Sequence, residues 1–253
     1  MRVTDGPAIG LRRANWLVAE IADYRDETPK VRSLFLDVPA WPGHIAGQHV
    51  DVRLTAEDGY QAQRSYSIAS PPNATRLELT IQRLDEGEVS SYLAAEARPG
   101  DRFEIRGPIG GHFVWRPTMT EPLLLIAGGS GVVPLMAMLR DRAANGAPVT
   151  ARLIYSSRTF DDIIYRAELE QLAGDERLNV IHTLTDAQPA GWTGESRLID
   201  RDMLARNGFA PRERPRIYIC GPTGLVEAAA RYLVELGHPA EAVKTERFGP
   251  TGV

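Results

Sequence analysis

A change of hydrophobic period near residue 117 constrains this chain more than any other feature. Before it, apolar and polar residues alternate in short segments at 16–21, 31–38, 49–54, 76–83 and 101–105. A period of two sends successive side chains to opposite faces, so these segments read as antiparallel strands of a sandwich or barrel. Turn formers separate them at 39–43, 57–59, 71–73 and Pro99-Gly100, and one helical candidate falls at 90–97. After residue 117, apolar runs at 123–127, 152–155, 179–183, 217–220 and 243–245 alternate with amphipathic stretches at 133–140, 163–172 and 223–236. Strands that are apolar throughout, joined by helices, predict a parallel sheet covered on both faces. With the segment 64–70, polar where a barrel strand would alternate, as the sixth strand, the expectation is a six-stranded antiparallel β-barrel over residues 1–117, followed by an α/β domain with a five-stranded parallel sheet over residues 118–253.

Composition removes several function classes. Hydrophobic residues at 43 % and charged residues at 25 % are those of an ordinary globular chain. A net charge of −4 with no basic run offers no field to a polyanion, so nucleic acid is not expected as a partner. Cys220 is the single cysteine, which excludes an intrachain disulfide and a cluster held by about four thiolates. The longest apolar run, 123–139, is broken by Gly128, Gly129, Gly131 and Pro134 and falls short of the ~20 residues that cross a bilayer, so no membrane partner is expected. The first residues, with Asp5 and Pro7 and no apolar stretch, do not read as a secretory signal, which makes the cytoplasm the expected location. His44, His112, His182 and His238 lack metal-ligand spacing, and no metal is expected.

Four motifs carry chemistry. Arg64-Ser65-Tyr66-Ser67 stands where a barrel strand would show apolar alternation: arginine supplies a fork for phosphate oxygens, tyrosine a flat face for a ring, and serine a hydroxyl for a ring nitrogen. Gly87-Glu88-Val89-Ser90 opens the helical candidate, where free N–H groups suit a pyrophosphate; alone, it also reads as a plain serine cap. Gly128-Gly129-Ser130-Gly131 joins an apolar strand to a helix with Pro134 in its first turn, so a dinucleotide can approach the backbone, although the spacing is not G-x-G-x-x-G. Cys220-Gly221-Pro222 ends another apolar strand at its carboxyl end, where ligands of such sheets bind; alone, the thiol reads as core.

In this order and spacing the motifs resemble the ferredoxin–NADP reductase superfamily, and more narrowly its bacterial branch of flavin-containing oxygenase reductases and flavohaemoglobin-like reductase modules, over residues 16–252. The resemblance implies an NAD(P)H-dependent flavin oxidoreductase that holds FAD, with FMN less expected, and passes electrons to a separate acceptor such as a ferredoxin or an oxygenase component. It implies that Tyr66 packs on the flavin, Ser67 bonds near its reactive nitrogen, and Arg64 and Ser90 hold its phosphates. Cys220 would lie beside the nicotinamide, with Glu246 and Phe248 of the terminal Glu246-Arg247-Phe248-Gly249-Pro250 at the place of its entry. Ser157, Arg158 and Tyr165 look like the set that grips the 2′-phosphate of NADPH, and no carboxylate follows this strand before Asp161. Whether His49, after Gly47-Gln48, touches the flavin stays open. So do two other functions: an electron relay without hydride chemistry, and a reductase of a small molecule such as a quinone.

Overall fold

A computed structural model describes residues 15–248. Its first six strands, β1 (Trp16–Thr28), β2 (Val31–Asp37), β3 (His49–Thr55), β4 (Gln61–Ser67), β5 (Leu77–Gln82) and β6 (Arg102–Ile109), pair antiparallel in the order β4-β3-β6-β1-β2-β5. The sheet curls into a barrel whose end strands, β4 and β5, meet through one bridge, Ile68 to Leu79. Alternation directs Ile21, Leu34, Val50, Leu79 and Ile105 into a shared interior. β1 outruns its apolar segment because its polar half, past irregular registers at Ile21/Asp23 and Asp26/Thr28, still pairs with β2. The helical candidate starts two residues early as α1 (Glu88–Ser91) and continues through a wider turn, Tyr92–Glu96.

β2 and β5 are buried on both faces. Leu77, Leu79 and Ile81 face the barrel interior, yet the alternate residues Glu78, Thr80 and Ser33 are only 6 %, 4 % and 0 % exposed. The second domain covers this outer face and seals polar residues that a free barrel would leave in water.

The second domain runs β7 (Leu123–Gly128), α2 (Val132–Ala144), β8 (Ala151–Ser157), α3 (Arg166–Leu172), β9 (Leu178–Leu184), α4 (Arg201–Asn207), β10 (Arg216–Pro222), α5 (Thr223–Glu235) and β11 (Val243–Phe248). Its parallel strands lie in the order β11-β10-β7-β8-β9. Leu123, Leu125 and Ala127 of β7 join the apolar layer shared with α2, whereas Leu124 and Ile126 join the layer shared with α4 and α5, which explains an unbroken apolar strand. α4 has no counterpart in the periodicity: it is seven residues long, buries only Met203 and Leu204, and starts where the Asp200 carboxylate accepts from the Met203 N–H at 2.8 Å. From β7 the chain winds outward to β9, then returns to β10 on the other side. The strand order therefore reverses between β7 and β10, and a crevice opens at their carboxyl ends.

Candidate active site

On the barrel side the site starts from the unpaired edge of β4. Its partner β3 takes one edge, from Gln61 against Thr55 to Ser67 against His49, and β5 reaches the other only at the Ile68–Leu79 bridge. A flat heterocycle with hydrogen-bonding edges suits such a strand border. The Arg64 guanidinium is exposed and, among the described residues, donates only to its neighbour's carbonyl, Gln63 O, at 2.7 Å. Tyr66 shares the Arg64 face and packs against the barrel cluster that holds Val89 and Leu93 of the α1 region; burial raises its hydroxyl pKa, and the Arg64 charge opposes the rise. Tyr60, just before β4, donates to Glu88 at 3.0 Å and ties the hairpin to α1. Ser67 is 7 % exposed, and His49 stands opposite it in register, its pKa lowered by burial against the opposing charge of Asp51. The structure thus sets His49, which sequence reasoning leaves open, beside Ser67.

On the nucleotide side, two glycine turns interlock at the reversal of the sheet. A Cβ on Gly131 would come 2.0 Å from the Cys220 carbonyl oxygen, and one on Gly128 would meet Leu225 and Pro222 at 2.7 and 2.9 Å. Gly221, at φ +155°, lies over the Gly128 backbone. At Gly131 and Gly221 main chain meets main chain, with the Leu225 and Pro222 side chains against Gly128, and bare backbone of this kind is what an approaching pyrophosphate requires. Cys220 lies between Ala127 and Glu246 in register, fully buried; burial pushes its thiol well up, and the Glu246 charge adds to the rise. Burial alone moves the Glu246 carboxyl up to about 7. Phe248 pairs with Pro222 at the end of β11 and is 36 % exposed, whereas Gly249 and Pro250 lie outside the described residues.

The two sides meet: Ala69, two residues past Ser67, shares one buried apolar cluster with Ala127, Val132, Val133 and Cys220. The connector adds polar ties, with Trp115 N–H donating to Ala46 O at 3.0 Å and the Tyr218 hydroxyl to Val114 O at 2.6 Å. Past β8, Arg158 is exposed, while the Ser157 hydroxyl, on a residue only 4 % exposed, lies beside the buried Tyr155 hydroxyl. An exposed guanidinium, a glycine floor and an open strand edge fit a flavin together with a nicotinamide nucleotide.

Several expected ligands act otherwise. Tyr165 cannot reach a 2′-phosphate: it is 2 % exposed, adopts φ +59°, and donates its hydroxyl to Thr80 of the barrel. Hydropathy does not reveal this, because the tyrosine seals an interface between distant segments. Ser65 donates to Asp51 at 2.7 Å, Val89 places its side chain in the barrel core, and the Ser90 hydroxyl closes its own turn through Leu84 N–H and Gly87 O, both at 3.2 Å. Main-chain groups are what Gly87, Glu88, Val89 and Ser90 can offer a phosphate. A pair absent from the sequence reading, Phe160 and Trp192, meets edge to face at 6.1 Å, with the Arg166 guanidinium carbon 4.2 Å from the Phe160 ring centre.

The chain matches the Oxidoreductase FAD-binding domain family over residues 21–115 and the Oxidoreductase NAD-binding domain family over residues 125–231. It is 30 % identical over 236 residues to NADH-cytochrome b5 reductase 1 of Aspergillus oryzae, covering 90 % of this chain and 78 % of that one. The plasma membrane-associated coenzyme Q6 reductase of Saccharomyces cerevisiae is 31 % identical over 218 residues, covering 85 % and 67 %. Among solved structures, the ferredoxin reductase in carbazole 1,9a-dioxygenase superposes with a TM-score of 0.79 at 26 % identity, covering 96 % of this chain and 71 % of that one.

Proposed function

Because this chain belongs to the ferredoxin–NADP reductase superfamily and is an NAD(P)H-dependent FAD oxidoreductase, we propose that it draws hydride from NADPH and delivers electrons to a separate redox protein. The observation that carries this reading is the interlock of Gly131 with Cys220 at the sheet reversal, sharing a cluster with the strand end that follows Ser67. Residues 1–117 serve the flavin and residues 118–253 the nucleotide.

Bound flavin supplies the capacity to take a hydride and release electrons singly. The chain's residues do the rest. Arg64 and the main chain of Gly87–Ser90 hold phosphate, while Tyr66 packs on the ring and Ser67 hydrogen-bonds beside its reactive edge. On the other side, Gly128–Gly131 and Cys220–Pro222 would seat the nicotinamide, with Phe248, paired with Pro222 at the end of β11, bordering that seat. Arg158 and Ser157 take the 2′-phosphate, and Phe160 with Trp192 offers an aromatic border to the adenine end. Support for the protein acceptor comes from the relative named NADH-cytochrome b5 reductase 1, so we count cytochrome b5 with ferredoxin and an oxygenase component among the candidates. The relative named for coenzyme Q6 supports a second reading, a quinone acceptor. As to location, no helix among the described residues is long and apolar enough to cross a membrane, and we keep the cytoplasm as the proposed site.

Anaerobic addition of NADPH to the yellow protein tests hydride uptake: bleaching is expected, and a flavin that stays oxidised with both NADPH and NADH makes the protein a relay. Reoxidation by cytochrome b5, ferredoxin or a short-chain quinone, compared at equal concentration, then identifies the acceptor class.

A further inference from the structure

The part of the molecule that the proposed chemistry leaves unused is the sealed polar layer between the barrel and the nucleotide domain. At its centre is Arg140 of α2. Its Nε and one terminal nitrogen donate to the two carboxylate oxygens of Glu168 on α3, both at 2.7 Å. The other terminal nitrogen donates to the Ala69 carbonyl and to a Glu78 carboxylate oxygen, both at 2.8 Å, so the opposite side of the fork is spent on the barrel. The Tyr165 ring lies 4.8 Å from the guanidinium carbon, and its hydroxyl continues the layer through Thr80 and Ser33, 2.7 Å apart, to Glu27. The Arg140 side chain is 10 % exposed.

The attachment points matter more than the energy. α2 begins directly after the glycine turn that ends at Gly131, and Arg140 lies two helical turns along it. Ala69 comes two residues after Ser67, and its own N–H is pinned to Glu78 O at 2.8 Å. One guanidinium therefore connects the helix carrying the nucleotide turn to the peptide next to the flavin serine. The apolar cluster around Ala69 supplies attraction without direction, and polar interfaces between domains ordinarily permit relative motion. Bidentate arginine–carboxylate bonds do impose a direction. We infer that Arg140 is a positioning residue: it sets the separation between the nicotinamide seat at Gly131 and Cys220 and the flavin seat at Tyr66 and Ser67.

This inference rests on the oxidoreductase reading, and the test separates the two. Full-length, flavin-loaded protein is prepared as wild type, Arg140→Met and Arg140→Lys, with flavin content and thermal midpoint recorded for each. Stopped-flow reduction over a range of NADPH and NADH concentrations then splits nucleotide affinity from limiting rate. Adding NADP+ to each oxidised protein gives a flavin difference spectrum that needs no turnover. The expected result for Arg140→Met is a limiting rate lower by about tenfold to a hundredfold, as for a misplaced donor, with affinity unchanged and a diminished difference spectrum. Arg140→Lys should recover part of both, since an ammonium reaches Glu168 or the Ala69 carbonyl but cannot span them as a fork. If the methionine variant fails to hold flavin, the lysine variant carries the comparison with its charge intact. Loss of thermal midpoint alone, with wild-type limiting rate and spectrum in a flavin-loaded variant, overturns the positioning role and leaves the oxidoreductase reading standing. A wild-type protein that neither nucleotide bleaches overturns both.

Discussion

Gly131 and the carbonyl of Cys220 are in such close apposition that a single methyl group on the glycine would sit 2.0 Å from the oxygen, 2.4 Å from its carbon and 2.7 Å from the Gly221 nitrogen. All three are main-chain atoms, so no side chain can swing aside. Gly131→Ala must part the two turns that form the crevice floor. A cost of about 1–3 kcal/mol is expected from overpacking, read as a lower midpoint in thermal unfolding, along with slowed flavin reduction. Gly224→Ala is the comparison: it stands in α5 with nothing within 4 Å of the added carbon and should keep the wild-type midpoint or raise it slightly, as a helical alanine does. Equal midpoints for both variants would show that the turns are not interlocked.

Arg64 should matter for flavin retention and little for the fold. Its guanidinium is exposed and, among the described residues, bonds only to the carbonyl of Gln63. Arg64→Ala removes a charge-assisted contact to phosphate, which weakens flavin binding by roughly 1.5–3 kcal/mol, about ten- to a hundredfold. Fluorescence titration of the apoprotein with FAD measures this directly; unchanged affinity in a folded variant rejects Arg64 as a phosphate ligand. The same titration with FMN asks whether the adenosine half contributes.

Much of this was legible because the two periods are physical consequences of the two sheets. Ala19, Ile21, Leu34 and Leu36 alternate inward in the barrel, and Leu123 to Ala127 are apolar throughout because both faces of β7 are covered. The Gly128 and Gly131 turn could be read for the same reason, since only glycine tolerates the neighbours found there. What could not be read arises from contacts between distant segments. Tyr165 has the residue type and spacing of a phosphate ligand but is spent on Thr80, 85 residues earlier. Ser65 is drawn off by Asp51, and Glu78 and Thr80 look solvated until the second domain covers them. α4 escaped because its start is set by the Asp200 carboxylate capping Met203 N–H, a local contact that hydrophobic period does not register.

Glu246 should impose a pH dependence centred near neutrality. Burial raises its carboxyl from 4.5 to about 7, and it faces Cys220 across the strand pair. The fold favours the protonated form. The associated stability is therefore fully present below the ordinary value of 4.5, declines as pH rises between 4.5 and about 7, and is constant above that. If Glu246 borders the nicotinamide seat as proposed, the same ionisation would have the opposite effect on chemistry, since a carboxylate there would favour the positively charged form of the ring. The limiting rate of flavin reduction is expected to rise through pH 7 as the thermal midpoint falls, and Glu246→Gln should flatten both curves. A pH-independent rate in the wild type between pH 5.5 and 8.5 would remove Glu246 from the reacting surroundings.

Nucleotide preference now turns on Arg158, since Tyr165 is committed to the interface. The loop that carries Arg158 is rigid where it counts: its carbonyl accepts from Asp186 and Ala187 N–H at 2.9 and 3.3 Å, and the Ser157 carbonyl accepts from Thr185 N–H at 3.0 Å. The guanidinium itself is exposed and unengaged among the described residues. A fixed backbone with an exposed cation is suited to a 2′-phosphate, whereas recognition of a ribose 2′-hydroxyl usually draws on a carboxylate at this place, and none precedes Asp161. NADPH is therefore expected to have the higher kcat/KM in the unmodified enzyme. Arg158→Ala should cost roughly 1.5–3 kcal/mol in NADPH binding, the range for hydrogen bonds to charged groups, with NADH little affected. The relative named as an NADH-dependent reductase supplies the opposing expectation. Under that alternative, kcat/KM is higher with NADH and Arg158→Ala leaves the ratio of the two cofactors where it was, so one pair of steady-state curves on wild type and variant decides between them.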